Sequence, residues 1–339
     1  MSRRSRRSKR KLNSLFMALL LTGMLLLSST YAWFSANKEV ELNGISATVV
    51  AAEGLQISLD GESWGSKITI NQAALAAATA NIYQWPTALN PVSTTGTTSS
   101  GKLEMFAGDV DATGAKLTNA AAETDLTTGG VGGKYIAFDL YFKNSSSQAD
   151  GDKLQLNAGT SVAINAENGK AGTGLENCIR SGLVLYSNSE VMTADGTTVR
   201  SIAPGTPGVC IWEPNYNKHI AEVVKNDARV TSADAVLPTY GLKSAGNGTI
   251  EGINEVTPTA PEIGEQKTLQ TEASLTDALE MKNLGTDPIM LKPNAIMKSR
   301  VYVWIEGQDV DCIDTASTGK QIDITLKFTK PEVQHDAGP

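Results

Sequence analysis

Three stretches of this 339-residue chain predict an all-β fold, an antiparallel β-sandwich with jelly-roll-like connections. In the first, Ile136, Phe138, Leu140 and Phe142 alternate with Ala137, Asp139, Tyr141 and Lys143. In the second, Val301, Val303 and Ile305 alternate with Arg300, Tyr302, Trp304 and Glu306. In the third, Ile322, Ile324, Leu326 and Phe328 oppose Asp323, Thr325, Lys327 and Thr329. Period-two alternation with one polar face is the pattern of antiparallel strands buried on one side only.

The remaining elements follow in order. "LQISLDGESWGSKITI" (55–70) is expected to be a hairpin, because Asp60-Gly61 favours a tight reversal between two short alternating runs. "NQAALAAATANIYQW" (71–85) carries helix-forming alanines, and "NKHIAEVVKND" (217–227) has length for a turn or two of helix. Helix is otherwise scarce. "KLQLNAGTSVAI" and "GLVLYS" are weaker strands. Thr, Gly and Pro enrichment predicts long surface loops at 90–133 and 237–268. No 20–50-residue repeat is evident. Residues 34–330 are therefore expected to form one elaborated sandwich domain, followed by a disordered polar tail at 331–339.

Charge is divided by position. Seven basic residues and no acidic one lie within residues 1–33, which leaves 22 Lys and Arg against 36 Asp and Glu, a formal charge of −14, on the rest. A body that acidic repels nucleic acid. The basic block is the n-region (1–11) of a signal peptide, followed by an apolar h-region (15–27) and a small-x-small approximation at Thr30, Tyr31 and Ala32, ahead of Trp33 and Phe34. The alternative is an uncleaved anchor, since the apolar run extended through Phe34 reaches the roughly 20 residues that span a bilayer. Either way the body is exported, and the expected location is extracellular matrix or cell surface. The membrane is a partner only before cleavage. Cys178, Cys210 and Cys312 have no metal-ligand spacing, and one disulfide with one thiol is as open as three thiols.

The "TYAWFS" run directly after the h-region, followed by a polar strand-like segment, resembles the start of the TasA/camelysin group of secreted Gram-positive proteins. The resemblance lies mainly in residues 1–50. It implies cleavage by a SipW-type signal peptidase, and its best-known members build biofilm matrix fibres. This chain is longer than those members, with added Thr/Gly-rich segments. Peptidase activity has been attributed to camelysin, but no metalloprotease motif is present to carry it over.

Beyond the cleavage region, Val40 and Leu42 alternate with acidic residues, Asn43-Gly44 breaks the register, and Ile45, Ala47 and Val49 resume it. Such a terminal strand either pairs in its own sheet or completes the sheet of a neighbour. Repeated head-to-tail, the second contact does not close and builds a filament.

Catalytic motifs are weak. Gly61-Glu62-Ser63-Trp64-Gly65 matches a nucleophile elbow in letters, yet a strand follows where a helix is required. His219 is expected on the surface, and no H-E-x-x-H exists. No cofactor is expected. Calcium is the one candidate metal, at Asp109 and Asp111, or at Asp309, Asp311 and Asp314 beside Glu306, with solvated acids as the default. The chain is therefore expected to be a non-catalytic structural protein that self-associates into fibres. The alternatives are a monomeric glycan- or surface-binding module, using aromatics such as Trp64, Trp85, Trp212 and Trp304, and, more weakly, a secreted hydrolase.

Overall fold

A computed structural model describes residues 40–41, 45–51, 54–110, 117–145, 152–156, 160–164, 174–186, 195–205, 208–213, 215, 217–226, 230–235, 239–244, 250–256, 269–270, 279–280, 282–283, 287–288, 290–312 and 322–330. The expected cleavage region Thr30 to Phe34, Leu42, Asp111, Asp314 and the tail at 331–339 lie outside these.

The strands of four or more residues are β1 (Ile45–Ala51), β2 (Leu55–Ser58), β3 (Lys67–Ile70), β4 (Ser93–Ser99), β5 (Lys102–Val110), β6 (Leu117–Glu123), β7 (Ile136–Asn144), β8 (Ser161–Ile164), β9 (Ile179–Leu185), β10 (Gly208–Trp212), β11 (Thr239–Ser244), β12 (Ile250–Val256), β13 (Ile296–Ile305) and β14 (Ile322–Thr329). Among the described residues four short helices accompany them: α1 (Gln72–Ala77), α2 (Leu175–Cys178), α3 (Gly196–Arg200) and α4 (Ala221–Asn226). The fold is the expected all-β sandwich.

One sheet runs β8–β14–β1–β3, with Gln155–Leu156 sharing the β8 edge of β14. The other runs β10–β9–β13–β7–β2, extended past β10 by Leu269–Gln270. Their facing side chains make the main core, including Val49, Ile57, Ile70, Phe138, Leu183, Val301 and Ile324. Phe142 of one sheet meets Phe328 of the other edge-on, with ring centroids 4.8 Å apart. The two α-helical stretches expected from sequence form as α1 and α4. Asn71 caps α1 by accepting the Ala74 N–H at 2.8 Å, and Leu75 is the side chain α1 buries.

Several expectations are corrected. The run 55–70 is a corner and not a two-strand hairpin: β2 pairs with β7 in one sheet and β3 with β1 in the other. A single Ile57–Gly65 bridge, with N–H···O distances of 2.8 and 2.9 Å in the two directions, joins them at the tip. The expected loop at 90–133 contains a three-stranded antiparallel sheet, β4–β5–β6. That at 237–268 contains the β11–β12 pair. Threonine favours strands as a β-branched residue, so the Thr-rich composition at 93–99 is compatible with both readings.

The added sheet changes the meaning of the alternating pattern. Only β14 is half-buried as predicted. All ten residues of β13 are buried, and β7 is nearly so. Leu103 and Met105 of β5, together with Val199 of α3, pack with Tyr135, Tyr141, Tyr302 and Trp304 in a second core on the outer face of the β7–β13 sheet. The molecule thus has a third layer over what looked like a solvent face.

Candidate functional site

Two features stand out: the slot occupied by β1, and a set of charges sealed between the layers.

β1 is an interior strand. Along one edge it runs parallel to β14, from Ile45 opposite Ile322 to Ala51 opposite Phe328. Along the other it is antiparallel to β3, from Ala47 opposite Ile70 to Val50 opposite Lys67. Ala47 and Val49 point into the main core, while Thr48 and Val50 are half-buried on the other face. Of the residues proposed to form a donor strand, Ile45, Ala47 and Val49 lie in β1, and Val40 pairs separately with Leu89. In the single chain, these strands fill the chain's own sheets. The link to β2 passes Gly54, whose φ of +76° is the left-handed conformation that favours glycine.

The first charged cluster is built by register. Pairing of β13 with β7 sets Arg300 directly opposite Asp139. The Arg300 guanidinium donates to Asp139 Oδ1 at 2.8 Å, to Asp125 Oδ2 at 2.5 Å and to the Ile82 carbonyl at 2.6 Å. Asp125 also accepts the hydroxyls of Tyr135 at 2.6 Å and Tyr302 at 2.9 Å. The Lys298 ammonium lies 3.2 Å from Asp139 Oδ2. Burial alone would lower the Arg300 pKa, but the two carboxylates outweigh it and hold the guanidinium charged. Burial pushes the Tyr302 hydroxyl well above its ordinary range, and the charge of Asp125 adds to this.

The second cluster lies at the exit of β13. Arg180 donates to Glu306 at 2.9 Å and to Glu213 at 3.4 Å. Glu306 also accepts the Trp304 indole N–H at 3.2 Å. Asp311 takes His219 Nδ1 at 2.7 Å and the Ile220 N–H at 3.0 Å, and His219 Nε2 sits 2.9 Å from the Ala235 carbonyl. His219 is therefore buried and bridged, which corrects the expectation of a surface histidine. Burial alone would lower its pKa, but the Asp311 carboxylate more than compensates and raises it. For Asp309, burial pushes the pKa well up, reinforced by the charges of Glu213 and Asp311, so its neutral form is favoured.

These partners bear on the calcium candidates. Asp309 and Asp311 are buried, not solvated, and Asp311 has protein donors on both oxygens. Asp309 accepts the Asp311 N–H at 2.9 Å. Asp109 belongs to β5, away from that turn in the chain. Among the described residues no group of three His, Cys, Asp or Glu side chains has an arrangement suited to a metal ion.

The aromatics divide similarly. Trp212 and Trp304 are fully interior, so neither presents a sugar-stacking face. Trp64 and Trp85 are half-buried against the cores, with the Lys143 ammonium 5.5 Å from the Trp64 ring centroid. The Gly61–Gly65 stretch is the polar tip of the β2–β3 corner. There Asp60 accepts the backbone N–H of Glu62 at 2.8 Å and of Ser63 at 2.7 Å, an arrangement that satisfies a turn.

Alternation places Asp139 and Arg300 on a polar face without revealing their pairing, and Arg180, Glu213 and Asp125 fall in no motif. The available signal was the aromatic content of that face: Tyr135, Tyr141, Tyr302 and Trp304 are unusual company for water. No family model, curated protein or solved structure matches this chain.

Proposed function

We propose that the chain is an exported, non-catalytic structural protein of the cell surface or extracellular matrix, akin to the TasA/camelysin group that it resembles at residues 1–50. A signal peptidase acts on it during export, and copies then join by exchange of β1. The supporting observation is that β1 makes backbone ladders along both edges, sets Ala47 and Val49 into the core, and is followed by a short link at 52–54 before β2. Lifting it out opens a strand-wide slot between β14 and β3, which the same segment of a second copy fits in the same register. Because donor strand and slot are different surfaces, the contact is head-to-tail and propagates. The sealed charge clusters fit this role, as they brace the layers from within. The interior positions of Trp212 and Trp304 weigh against the glycan-binding alternative.

The test is complementation. A chain beginning at Glu53 lacks β1, and a synthetic peptide covering 43–52 supplies it. The expected result is saturable one-to-one binding with recovery of near-UV circular dichroism, abolished by Val49→Asp in the peptide. A truncated chain that folds fully and ignores the peptide overturns the exchange mechanism.

A further inference from the structure

We propose that Cys178 and Cys312 are the two halves of a disulfide in the exported protein, with Cys210 remaining a thiol. The pairing is set by how the chain turns at the ends of β9 and β13. Cys178 closes α2 immediately before β9, and its carbonyl accepts the Glu306 N–H at 2.8 Å just past β13. The chain then makes a tight turn in which the Cys312 N–H donates to the Asp309 carbonyl at 3.0 Å. This brings the 309–312 turn back over α2. A β-carbon built on Gly174 would lie 3.2 Å from the Asp311 carbonyl oxygen and 3.3 Å from its Cβ. At this junction both thiols belong to the main core, and burial, with the neighbouring Cys312 thiol adding to it, pushes the Cys178 thiol up. Disulfide formation requires Cα atoms within about 7 Å and converging Cβ vectors. Cys178 and Cys312, on two chain segments packed against each other, are the pair that the fold places for such a bond.

Cys210 does not compete. It lies on β10 opposite Leu183, five residues along β9 from Cys178, or roughly 16 Å at strand rise. Oxidation also leaves no carbonyl stranded. The Cys178 thiol donates to the Gly174 carbonyl at 3.1 Å, and that oxygen keeps the Asn177 N–H at 3.1 Å.

The chemistry is thiol–disulfide exchange with an external disulfide, either a small molecule or an oxidoreductase. One protein thiolate attacks the external disulfide, giving a mixed disulfide and releasing one thiol. The second protein thiolate then attacks the protein sulfur of that mixed disulfide, forming the Cys178–Cys312 bond and releasing the second thiol. The protein loses two protons and two electrons, and the external disulfide gains them. Both sulfurs are buried in the folded state, so exchange takes place during folding. Persistence of the bond rests on the proposed export, since a reducing cytosol would reverse it.

The experiment separates pairing from export. The full chain, purified from cells, is unfolded with reductant and refolded in an oxidised/reduced glutathione buffer. It is then counted for thiols under denaturing conditions and mapped by non-reducing peptide mass spectrometry. The expected outcome is one remaining thiol, a linked 178–312 peptide pair, and a Tm roughly 5–10 °C above the reduced protein. The same pair should form in Cys210→Ser and be absent in Cys178→Ser and Cys312→Ser. Three thiols in the refolded protein, or any linkage through Cys210, overturns the pairing. Should refolding fail, protein collected from the culture medium is mapped the same way, and three thiols there overturn it too. Protein confined to the cells that nonetheless pairs 178 with 312 in glutathione counts against export alone.

Discussion

Replacing Arg300 with Met tests whether the outer layer truly seals the β7–β13 sheet. The Arg300 side chain is 2% exposed, with its partners Asp125 at 1% and Asp139 at 4%. Met preserves much of the volume but deletes the donors to Asp125, Asp139 and the Ile82 carbonyl. Two carboxylates then remain in a dry interior, with Lys298 close to only one of them. Breaking a buried pair by removing one partner costs about 3–5 kcal/mol, because the orphaned charge has lost both water and partner. Against a total stability of about 5–15 kcal/mol, that is a large fraction. With a guanidinium m-value of roughly 5 kcal/mol/M for a chain of this size, the midpoint should fall by about 0.6–1 M at unchanged m. Adding Asp125→Asn and Asp139→Asn to Arg300→Met should recover part of the loss, since the orphaned charges are gone. A single variant within about 1 kcal/mol of the parent, or a triple variant no better than the single, would show that water reaches the site.

Two further outcomes follow from the same interior. His219 has a folded pKa raised above 6.5, so its contribution to stability is complete below about pH 6.5 and disappears as pH rises through the folded value. The stability difference between the parent and His219→Gln should therefore shrink between pH 6 and pH 9, measured by denaturant titration; parallel pH profiles contradict the His219–Asp311 bridge. Gly133→Ala should cost about 1–3 kcal/mol in a thermal melt, because φ is +78° and the new Cβ would lie 2.2 Å from the Gln84 amide that bonds the Tyr135 carbonyl. Gly130→Ala, whose Cβ meets its nearest neighbour at 3.6 Å, should be close to neutral.

The strands that define the sandwich were legible because apolar alternation is a local signal: β7, β13 and β14 appear where the pattern put them. The third layer was not, because β4 to β6 are rich in Thr, Ala and Gly, a composition shared by surface loops. Partnership across the chain was also out of reach. Arg300 meets Asp139 through a strand pairing 161 residues apart, and His219 meets Asp311 across 92. A lone polar residue gives no local sign of a distant counter-charge, so by sequence both read as facing solvent. The corner at 55–70 was mistaken for a hairpin for a related reason: Asp60-Gly61 fixes the reversal, while the choice of sheet for each arm is made by β1 and β7.

If β1 leaves its own sheet to join copies, a reversible lock on that strand controls assembly. Thr48 and Thr69 face each other across β1 and β3. Replacing both with Cys ties β1 to its own sheet under oxidising conditions and frees it under reducing ones. Chains from residue 34 are then examined by negative-stain electron microscopy over a concentration series. Filaments are expected from the parent and from the reduced variant, and monomers alone from the oxidised variant. Filaments from the oxidised variant, or monomers from the parent at every concentration, would contradict β1 exchange.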